Sequence, residues 1–309
     1  MTFSVYQHWD PLKVCVVGRS YPPEFYNWIT IPHVRTLFEK IAVETEEDYQ
    51  AIIKKLESFG VKILRTDLPA SPWDHRSKKF LPPPMTPRDT TVMIGQEFYS
   101  THPDVDTKLA NFYNNVKDAS WPECKTVKEF YQLPKNLQQE CVDIHGVNEY
   151  VFATDGYTSI VNYVKQQGNT IKQANSYING AMTTRIGKDL YFGTESFDQD
   201  TAALQKSINT EFPNTRNHIV NTNGHSDGTF CPVCPGLIIS LKDVPTYADT
   251  FPGWEVIYLP PSNYADTDEF RFSMKLNKGR WNIPGFESDP NLVDLVDHYF
   301  DSWVGNASE

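Results

Sequence analysis

The clearest structural signal in this sequence is the segment Ala181–Phe192, which reads AMTTRIGKDLYF. Residues that favour strands lie on both sides of Gly187 and Lys188, and this pattern predicts two strands joined by a tight turn. The following pattern predicts a helix over about residues 198–210 and a further strand at His218–Val220. The order is two strands, a helix and a strand, which is typical of an α/β unit.

The same order recurs, more loosely, in three other parts of the chain. The predicted elements are a strand at 14–18, a helix at 39–59 and a strand at 61–64; a strand pair at 91–99 and a strand at 149–153; and strands at 228–230, 236–240 and 254–259. We count four copies and predict a modular α/β architecture in a single domain, residues 1–309. A last amphipathic helix is predicted at 291–303, capped by Asp289 and Pro290.

The composition argues against several classes of function. The 309 residues include 28 basic and 39 acidic side chains, a net charge of −11, so the surface repels nucleic acid and anionic membranes. No stretch is apolar over the length of a spanning helix, and the first residues do not resemble a secretion signal. The five cysteines are an odd number, and Cys15, Cys124 and Cys141 stand alone, which favours a reducing compartment. We therefore predict a cytoplasmic protein with no nucleic-acid or membrane partner.

The segment Gly224–Thr229 contains a histidine and a carboxylate two residues apart, His225 and Asp227. In an extended segment these side chains lie on one face and can reach one ligand. Histidine can transfer a proton near neutral pH, and a carboxylate can bind a cation. The alternative is a turn in which Asp227 caps the next backbone amides.

A second pair of charged residues, Arg88 and Asp89, lies where a proline-rich loop enters the strand pair at 91–99. An acidic side chain beside a buried strand needs a partner, and either Arg88 or a cationic substrate would serve. The alternative is a surface ion pair or a strand cap.

Cys231 and Cys234 have the two-residue spacing of redox and zinc motifs. We interpret them as two buried structural thiols, with a reactive thiol pair or a metal site as alternatives. A structural zinc would need a second pair of matching spacing, and the sequence has none, so no metal is predicted. No phosphate-binding loop or dinucleotide fingerprint occurs, and no cofactor is predicted.

Four motifs, taken together and in this order, resemble the glycine amidinotransferase family of the guanidino-group-modifying superfamily. They are the Trp-Asp-Pro-Leu and Val-Gly-Arg of Tyr6–Arg19, the Pro-Arg-Asp of 87–89 with Ile94–Glu97, the hairpin Arg185–Asp189, and His225–Phe230 with Pro235 and Gly236. The resemblance covers residues 6 to 259. It implies a pseudo-fivefold α/β propeller built from two-strand, helix, strand modules, in a superfamily that also includes the arginine deiminases.

The resemblance also implies roles for individual residues. In the family, a cysteine thiolate attacks the guanidinium carbon of arginine, ornithine leaves, and an amine such as glycine takes up the amidino group. By position, His225 would be the catalytic proton shuttle, and Asp89 and Asp227 would bind the guanidinium, with Arg88 beside them in the substrate site. Asn179 matches the family carboxylate that pairs with the histidine, although an amide cannot stabilise imidazolium by charge.

The family nucleophile lies in a segment near the carboxyl end, whereas no cysteine follows Cys234 in this sequence. We therefore expect a fifth module to be missing: truncated, supplied by another polypeptide, or lost. An open propeller would expose strand edges, so self-association or a second polypeptide is expected to complete it.

The predicted function is amidino transfer from arginine to an amine such as glycine, giving ornithine and guanidinoacetate. Two alternatives remain open: a non-catalytic relative that serves in binding or assembly, and a hydrolase of the arginine-deiminase type. The sequence does not define a role for the loop at residues 262–290.

Overall fold

The computed structural model describes residues 2–69, 72–74, 78–100, 129, 132–138, 156–174, 177–194, 200–222, 224–240, 250–259 and 289–300. The chain divides into two compact units. Unit 1 comprises residues 1–13, 86–103 and 161–261, and unit 2 comprises residues 14–85, 104–160 and 262–309. The single domain of residues 1–309 stays a prediction.

The described residues form short strands and helices in alternation. The strands are β1 (Val14–Val17), β2 (Lys62–Arg65), β3 (Trp73–Asp74), β4 (Lys79–Phe80), β5 (Thr91–Ile94), β6 (Glu97–Ser100), β7 (Thr170–Gln173), β8 (Thr183–Ile186), β9 (Asp189–Gly193), β10 (Arg216–Val220), β11 (Phe230–Cys234), β12 (Leu237–Ser240) and β13 (Glu255–Tyr258). The α-helices are α1 (Pro32–Ser58), α2 (Pro87–Thr90), α3 (Thr158–Gln166), α4 (Thr201–Glu211) and α5 (Pro290–Tyr299), and a 3₁₀ helix spans Pro23–Trp28. No helix of the described residues is long and apolar enough to cross a membrane.

Unit 2 contains the parallel pair β1 and β2, which the long helix α1 connects. This helix begins at Pro32, earlier than the predicted start near Glu39, because proline at the first helical position has a φ angle already suited to the helix. One face of α1 buries Val34 and Phe38. That face shares a core with Phe300 and with the buried residues of α5. Hydrophobic burial therefore fixes the position of α1 within unit 2.

A forked ion pair also joins α1 to β2 inside unit 2. The Arg65 guanidinium donates from Nη1 and Nη2 to the two carboxylate oxygens of Glu46, at 3.0 and 2.9 Å. Its Nε donates to the carbonyl oxygen of Gly18 at 3.0 Å. Two parallel hydrogen bonds of this kind hold a guanidinium more specifically than a single contact does. The Arg65 hydrogen bonds also lower the pKa of Glu46 below its ordinary value.

The described residues of unit 1 form three three-stranded sheets, and each consists of an antiparallel hairpin with a third strand parallel to its second strand. The orders are β5-β6-β7, β8-β9-β10 and β11-β12-β13. The hairpins turn at Gly95, Gly187 and Gly236, all at positive φ. This repeated sheet confirms the prediction of an α/β chain with recurring hairpin and strand, while the closed fivefold propeller stays a prediction.

The predicted strand at Glu149–Ala153 lies outside the described residues and stays a prediction. Among the described residues, the parallel partner of β6 is β7, Thr170–Gln173, a strand that the sequence pattern did not predict. The sequence of β7, TIKQ, is mostly polar, and it is the third strand beside a hairpin. A polar strand at the side of a sheet produces little hydrophobic signal, so the sequence pattern favours the more apolar segment.

A polar cluster lies beside the apolar core of unit 1. The Tyr99 ring is fully buried, and its hydroxyl lies 3.0 Å from a Glu97 carboxylate oxygen and 2.9 Å from one of Glu211. The Lys172 ammonium lies 3.1 Å from each of these carboxylates. Burial and then the neighbouring carboxylates raise the pKa of Tyr99, so the phenol remains protonated. The cluster links β6, β7 and the end of α4.

Candidate functional site

Asp89 lies in the one-turn helix α2, immediately before β5. Pro87 occupies the start of the turn, and the Asp89 backbone N–H donates to the Thr86 carbonyl oxygen at 3.0 Å. The hydroxyls of Thr90 and Thr91 donate to the Pro87 carbonyl oxygen at 3.0 and 2.7 Å. These bonds fix the turn, so the Asp89 side chain has a defined direction at the entrance to β5.

The loop before β8 holds this turn in place through hydrogen bonds between backbone atoms. Gly180 donates its N–H to the carbonyl oxygens of Arg88 at 2.8 Å and Thr91 at 3.1 Å. The preceding Asn179 is buried, and its Oδ1 accepts from the N–H groups of Ala181 and Met182 at 3.0 and 2.9 Å. The amide oxygen of Asn179 therefore caps the loop. Its predicted role beside His225 stays a prediction.

His225 and Asp227 lie in a turn that packs on the same loop. Ser226, between them, is 2% exposed and donates from its N–H and its hydroxyl to the Ala181 carbonyl oxygen, at 2.8 and 2.7 Å. The N–H groups of Thr229 and Phe230 then donate to the Ser226 carbonyl oxygen at 3.0 and 2.9 Å. Of the two conformations considered from the sequence, the structure has the turn and not the extended segment, because these backbone bonds fold residues 226–229 back on themselves.

The structure brings four of the sequence-predicted residues together in unit 1. The Arg88 guanidinium contacts both carboxylates: its Nε lies 3.4 Å from Asp89 Oδ1, and its Nη1 pairs with Asp227 Oδ2. His225 Nδ1 lies 4.0 Å from Asp89 Oδ1. The carboxylates are 29% and 27% exposed, whereas His225 and Arg88 are 50% and 55% exposed. Two carboxylates thus contact one guanidinium at a partly exposed site, and an imidazole lies beside one of these carboxylates.

The two cysteines that follow this turn lie on β11. Cys231 and Cys234 are both exposed and neither forms a disulfide, so their interpretation as buried structural thiols is wrong. Pro232 takes the buried position of the strand, and the strand has a register shift between Pro232 and Cys234. Among the described residues, no group of three His, Cys, Asp or Glu side chains is arranged to hold a metal ion.

Sequence reasoning missed the residues that support this site. Gly180, Ala181 and Ser226 contribute mainly through backbone hydrogen bonds. A single glycine in a loop, or a serine between a histidine and an aspartate, carries no signal of such a contact. Only the packing of the two loops against each other identifies their role.

No protein-family model and no curated protein sequence matches this chain. Several solved structures resemble it, and two of them are amidinotransferases. SxtG, an amidinotransferase from Microseira wollei in the saxitoxin biosynthetic pathway, matches with a TM-score of 0.51 at 18% identity, over 86% of this chain and 78% of that chain. The inosamine-phosphate amidinotransferase StrB1 from Streptomyces griseus matches with a TM-score of 0.50 at 16% identity, over 84% and 76%. The chain has the amidinotransferase fold.

These two matches confirm that the chain folds like the amidinotransferases that its four sequence motifs resemble. A third solved structure, the agmatine deiminase of C. jejuni, matches with a TM-score of 0.42 at 9% identity, over 83% of this chain and 73% of that chain. That match is too distant to support an argument. At these identities the likeness establishes the fold alone, and activity has to be argued from the residues of this chain.

Proposed function

We propose that this protein binds the guanidino group of arginine and transfers its amidino group to an amine acceptor such as glycine, giving ornithine and guanidinoacetate. The observation that carries the proposal is that Asp89 and Asp227 both contact a single guanidinium, that of Arg88, with His225 4.0 Å from Asp89. The amidinotransferase fold supports it, as does the order of the motifs along the sequence.

The two carboxylates suit a guanidino ligand for physical reasons. A guanidinium is planar and carries five N–H donors, so two carboxylates on different sides can each accept hydrogen bonds from it. Asp89 and Asp227 come from two separate turns and still reach the same guanidinium in this chain. A simple ammonium ion lacks this forked geometry. The pair therefore favours guanidino compounds over simple amines.

His225 would transfer protons in this reaction. The amine that leaves the guanidinium carbon must take up a proton, and the incoming amine must lose one. A histidine side chain exchanges protons near neutral pH, and that of His225 is half-exposed and 4.0 Å from Asp89. It therefore lies beside one of the two carboxylates that are proposed to bind the guanidinium.

The thiolate that the family uses as nucleophile is not among these three residues. Cys231 and Cys234 follow the His225 turn on β11, where both are exposed. A second candidate function is that of a protein that binds guanidino compounds without transferring the amidino group. Binding requires only the carboxylates, so both candidates share the same site.

One assay and one binding measurement test the proposal. Purified protein is incubated with arginine and glycine, and the products are separated. Ornithine with guanidinoacetate supports amidino transfer, citrulline indicates a deiminase-type hydrolase, and binding without product supports the second candidate. Calorimetry then compares arginine binding by the wild type, Asp89→Asn, Asp227→Asn and a control.

The control is Asp189→Asn, which neutralises a carboxylate of the same unit that pairs with Arg216 outside the site. We expect each site variant to bind arginine at least about tenfold more weakly, because one half of the charged clamp is lost. The control should bind as the wild type does. A wild type that binds no arginine, or site variants that match the control, would refute a guanidino site here.

A further inference from the structure

The proposed substrate site is engaged by a guanidinium of the chain itself. Arg88 contacts Asp89 through Nε at 3.4 Å and Asp227 through Nη1. These are the same two carboxylates that the proposed function assigns to the substrate. The group that contacts them is chemically identical to the group that a guanidino ligand would present.

Arg88 and a guanidino ligand would compete for the same acceptors. Hydrogen bonds from a guanidinium to a carboxylate are directional and use defined lone pairs. Asp227 Oδ2, which pairs with Arg88, is screened from solvent while Arg88 is in this position. A second guanidinium cannot form the same contact with that oxygen while the Arg88 side chain is there. The two occupants are therefore mutually exclusive at Asp227.

The Arg88 side chain can leave without disturbing the site. Its backbone is fixed, because the Arg88 carbonyl oxygen accepts the Gly180 N–H at 2.8 Å and the residue lies within α2. Its side chain is 55% exposed, about twice as exposed as either carboxylate. A rotation about side-chain bonds would move the guanidinium into water and leave Asp89 in place. Exposed ion pairs of this kind are weak enough to open readily.

We propose that Arg88 is an internal competitor, which occupies the carboxylate pair when no ligand is bound and is displaced by a guanidino ligand. The inference rests on the proposed function and adds that Arg88 lowers the affinity for the ligand. The measured association constant then equals the intrinsic one multiplied by the fraction of unliganded molecules in which Arg88 has released the carboxylates. Only a ligand that replaces the contacts of Arg88 with both carboxylates can bind well.

The test measures methylguanidinium binding to the full chain by calorimetry at one fixed salt concentration. Four proteins are compared: the wild type, Arg88→Met, Arg88→Lys and Arg216→Met. Arg216→Met is the matched control, because it removes an exposed arginine of the same unit that pairs with Asp189. Arg88→Lys keeps the positive charge but loses the forked donors, so it separates competition from a general change in electrostatic field.

We expect a dissociation constant about three- to tenfold lower for Arg88→Met, the size expected for releasing two partly exposed ion pairs. Arg88→Lys should show a smaller decrease, and Arg216→Met should match the wild type. Thermal unfolding of each protein establishes whether the variants are folded. If Arg88→Met is not folded, methylguanidinium binding is still measured with the more conservative Arg88→Lys.

Three results would overturn the inference. Equal or weaker binding by both Arg88 variants would mean that Arg88 holds the carboxylates in place, while the wild-type binding would leave the proposed guanidino site intact. Tighter binding by Arg88→Met but not by Arg88→Lys would assign the gain to lost charge alone. No methylguanidinium binding by any of the four proteins would refute the proposed function and the inference together.

Discussion

Gly180 lies so close to Arg88 that a Cβ atom added to the glycine would be 2.9 Å from the Arg88 carbonyl oxygen. The same Cβ would lie 3.0 Å from the Thr91 carbonyl oxygen. Both neighbours are backbone atoms that accept the Gly180 N–H, so they cannot move aside without breaking the contact that fixes α2. The direction of the Asp89 side chain therefore depends on the absence of a side chain at position 180.

We expect Gly180→Ala to displace the turn that carries Arg88 and Asp89. The overpacking should cost about 1–3 kcal/mol of unfolding free energy. Binding of arginine should weaken at least about tenfold, because Asp89 no longer faces Asp227. Denaturant unfolding and calorimetry measure the two effects.

The control for Gly180→Ala is Ile208→Val, a buried residue of α4 away from the site. It should cost about 0.5–1.5 kcal/mol in stability and leave arginine binding unchanged. If Gly180→Ala binds arginine with wild-type affinity, the contact does not position Asp89.

Much of the local structure could be predicted from the sequence. The hairpin turns at Gly95 and Gly187 are signalled by glycine between strand-forming residues, and both are observed. The strand β7 could not be predicted in the same way, because its sequence is polar. The start of α1 at Pro32 does have a signal in the sequence, since a proline at the first helical position is a typical start of a helix.

Only part of the candidate site could be predicted from the sequence. Asp89, His225 and Asp227 are chemically reactive residue types in recognisable motifs, and the structure brings them together. The contacts that hold them are between backbone atoms of Gly180, Ala181 and their partners. Any residue type supplies a carbonyl oxygen, so such contacts leave almost no trace in a single sequence.

Ser226→Ala tests the anchor of the second turn. The substitution removes the hydroxyl that donates to the Ala181 carbonyl oxygen at 2.7 Å, while the Ser226 N–H still donates to the same oxygen. We expect a loss of about 1 kcal/mol in stability, since the acceptor remains satisfied. Arginine binding should weaken about two- to fivefold as His225 and Asp227 gain freedom. The comparison is Ser58→Ala, which removes an exposed hydroxyl that donates to the Lys55 carbonyl oxygen. This substitution should change neither the stability nor the arginine affinity.

An arginine affinity unchanged in Ser226→Ala, despite lower stability, would show that the N–H bond alone holds the turn. The same affinity loss in Ser58→Ala would instead point to an effect of general stability.

Tyr99→Phe tests the polar cluster of unit 1. The change keeps the buried ring and removes the hydroxyl that lies between Glu97 and Glu211. We expect the free energy of unfolding to fall by about 1–3 kcal/mol, because the hydrogen-bonding arrangement around the buried Tyr99 is broken. Tyr177→Phe removes an exposed hydroxyl contact with Ser207 and should cost less than about 0.5 kcal/mol. Equal costs for the two variants would argue against any special contribution of the cluster.

The forked pair of Glu46 and Arg65 gives a pH dependence with a defined sign. The hydrogen bonds from Arg65 lower the pKa of Glu46 below its ordinary value of 4.5. The folded protein therefore binds fewer protons than the unfolded chain as the pH falls below about 4.5. The stabilisation by this pair is complete above that pH and is lost as the pH falls through the lowered pKa. Its size should be about 0.5–1 kcal/mol, because Glu46 is 43% exposed and screened by water.

The measurement compares the unfolding free energies of the wild type and Glu46→Gln between pH 7 and pH 3. The difference between the two proteins should be constant near neutral pH and should shrink below about pH 4.5. Glu44→Gln is the matched control, because Glu44 lies on the same helix in an exposed pair with Lys40 at 3.6 Å. Its difference from the wild type should stay small across the range. A Glu46→Gln difference that persists unchanged at pH 3 would show that the pair contributes through packing of the Arg65 stem and not through charge.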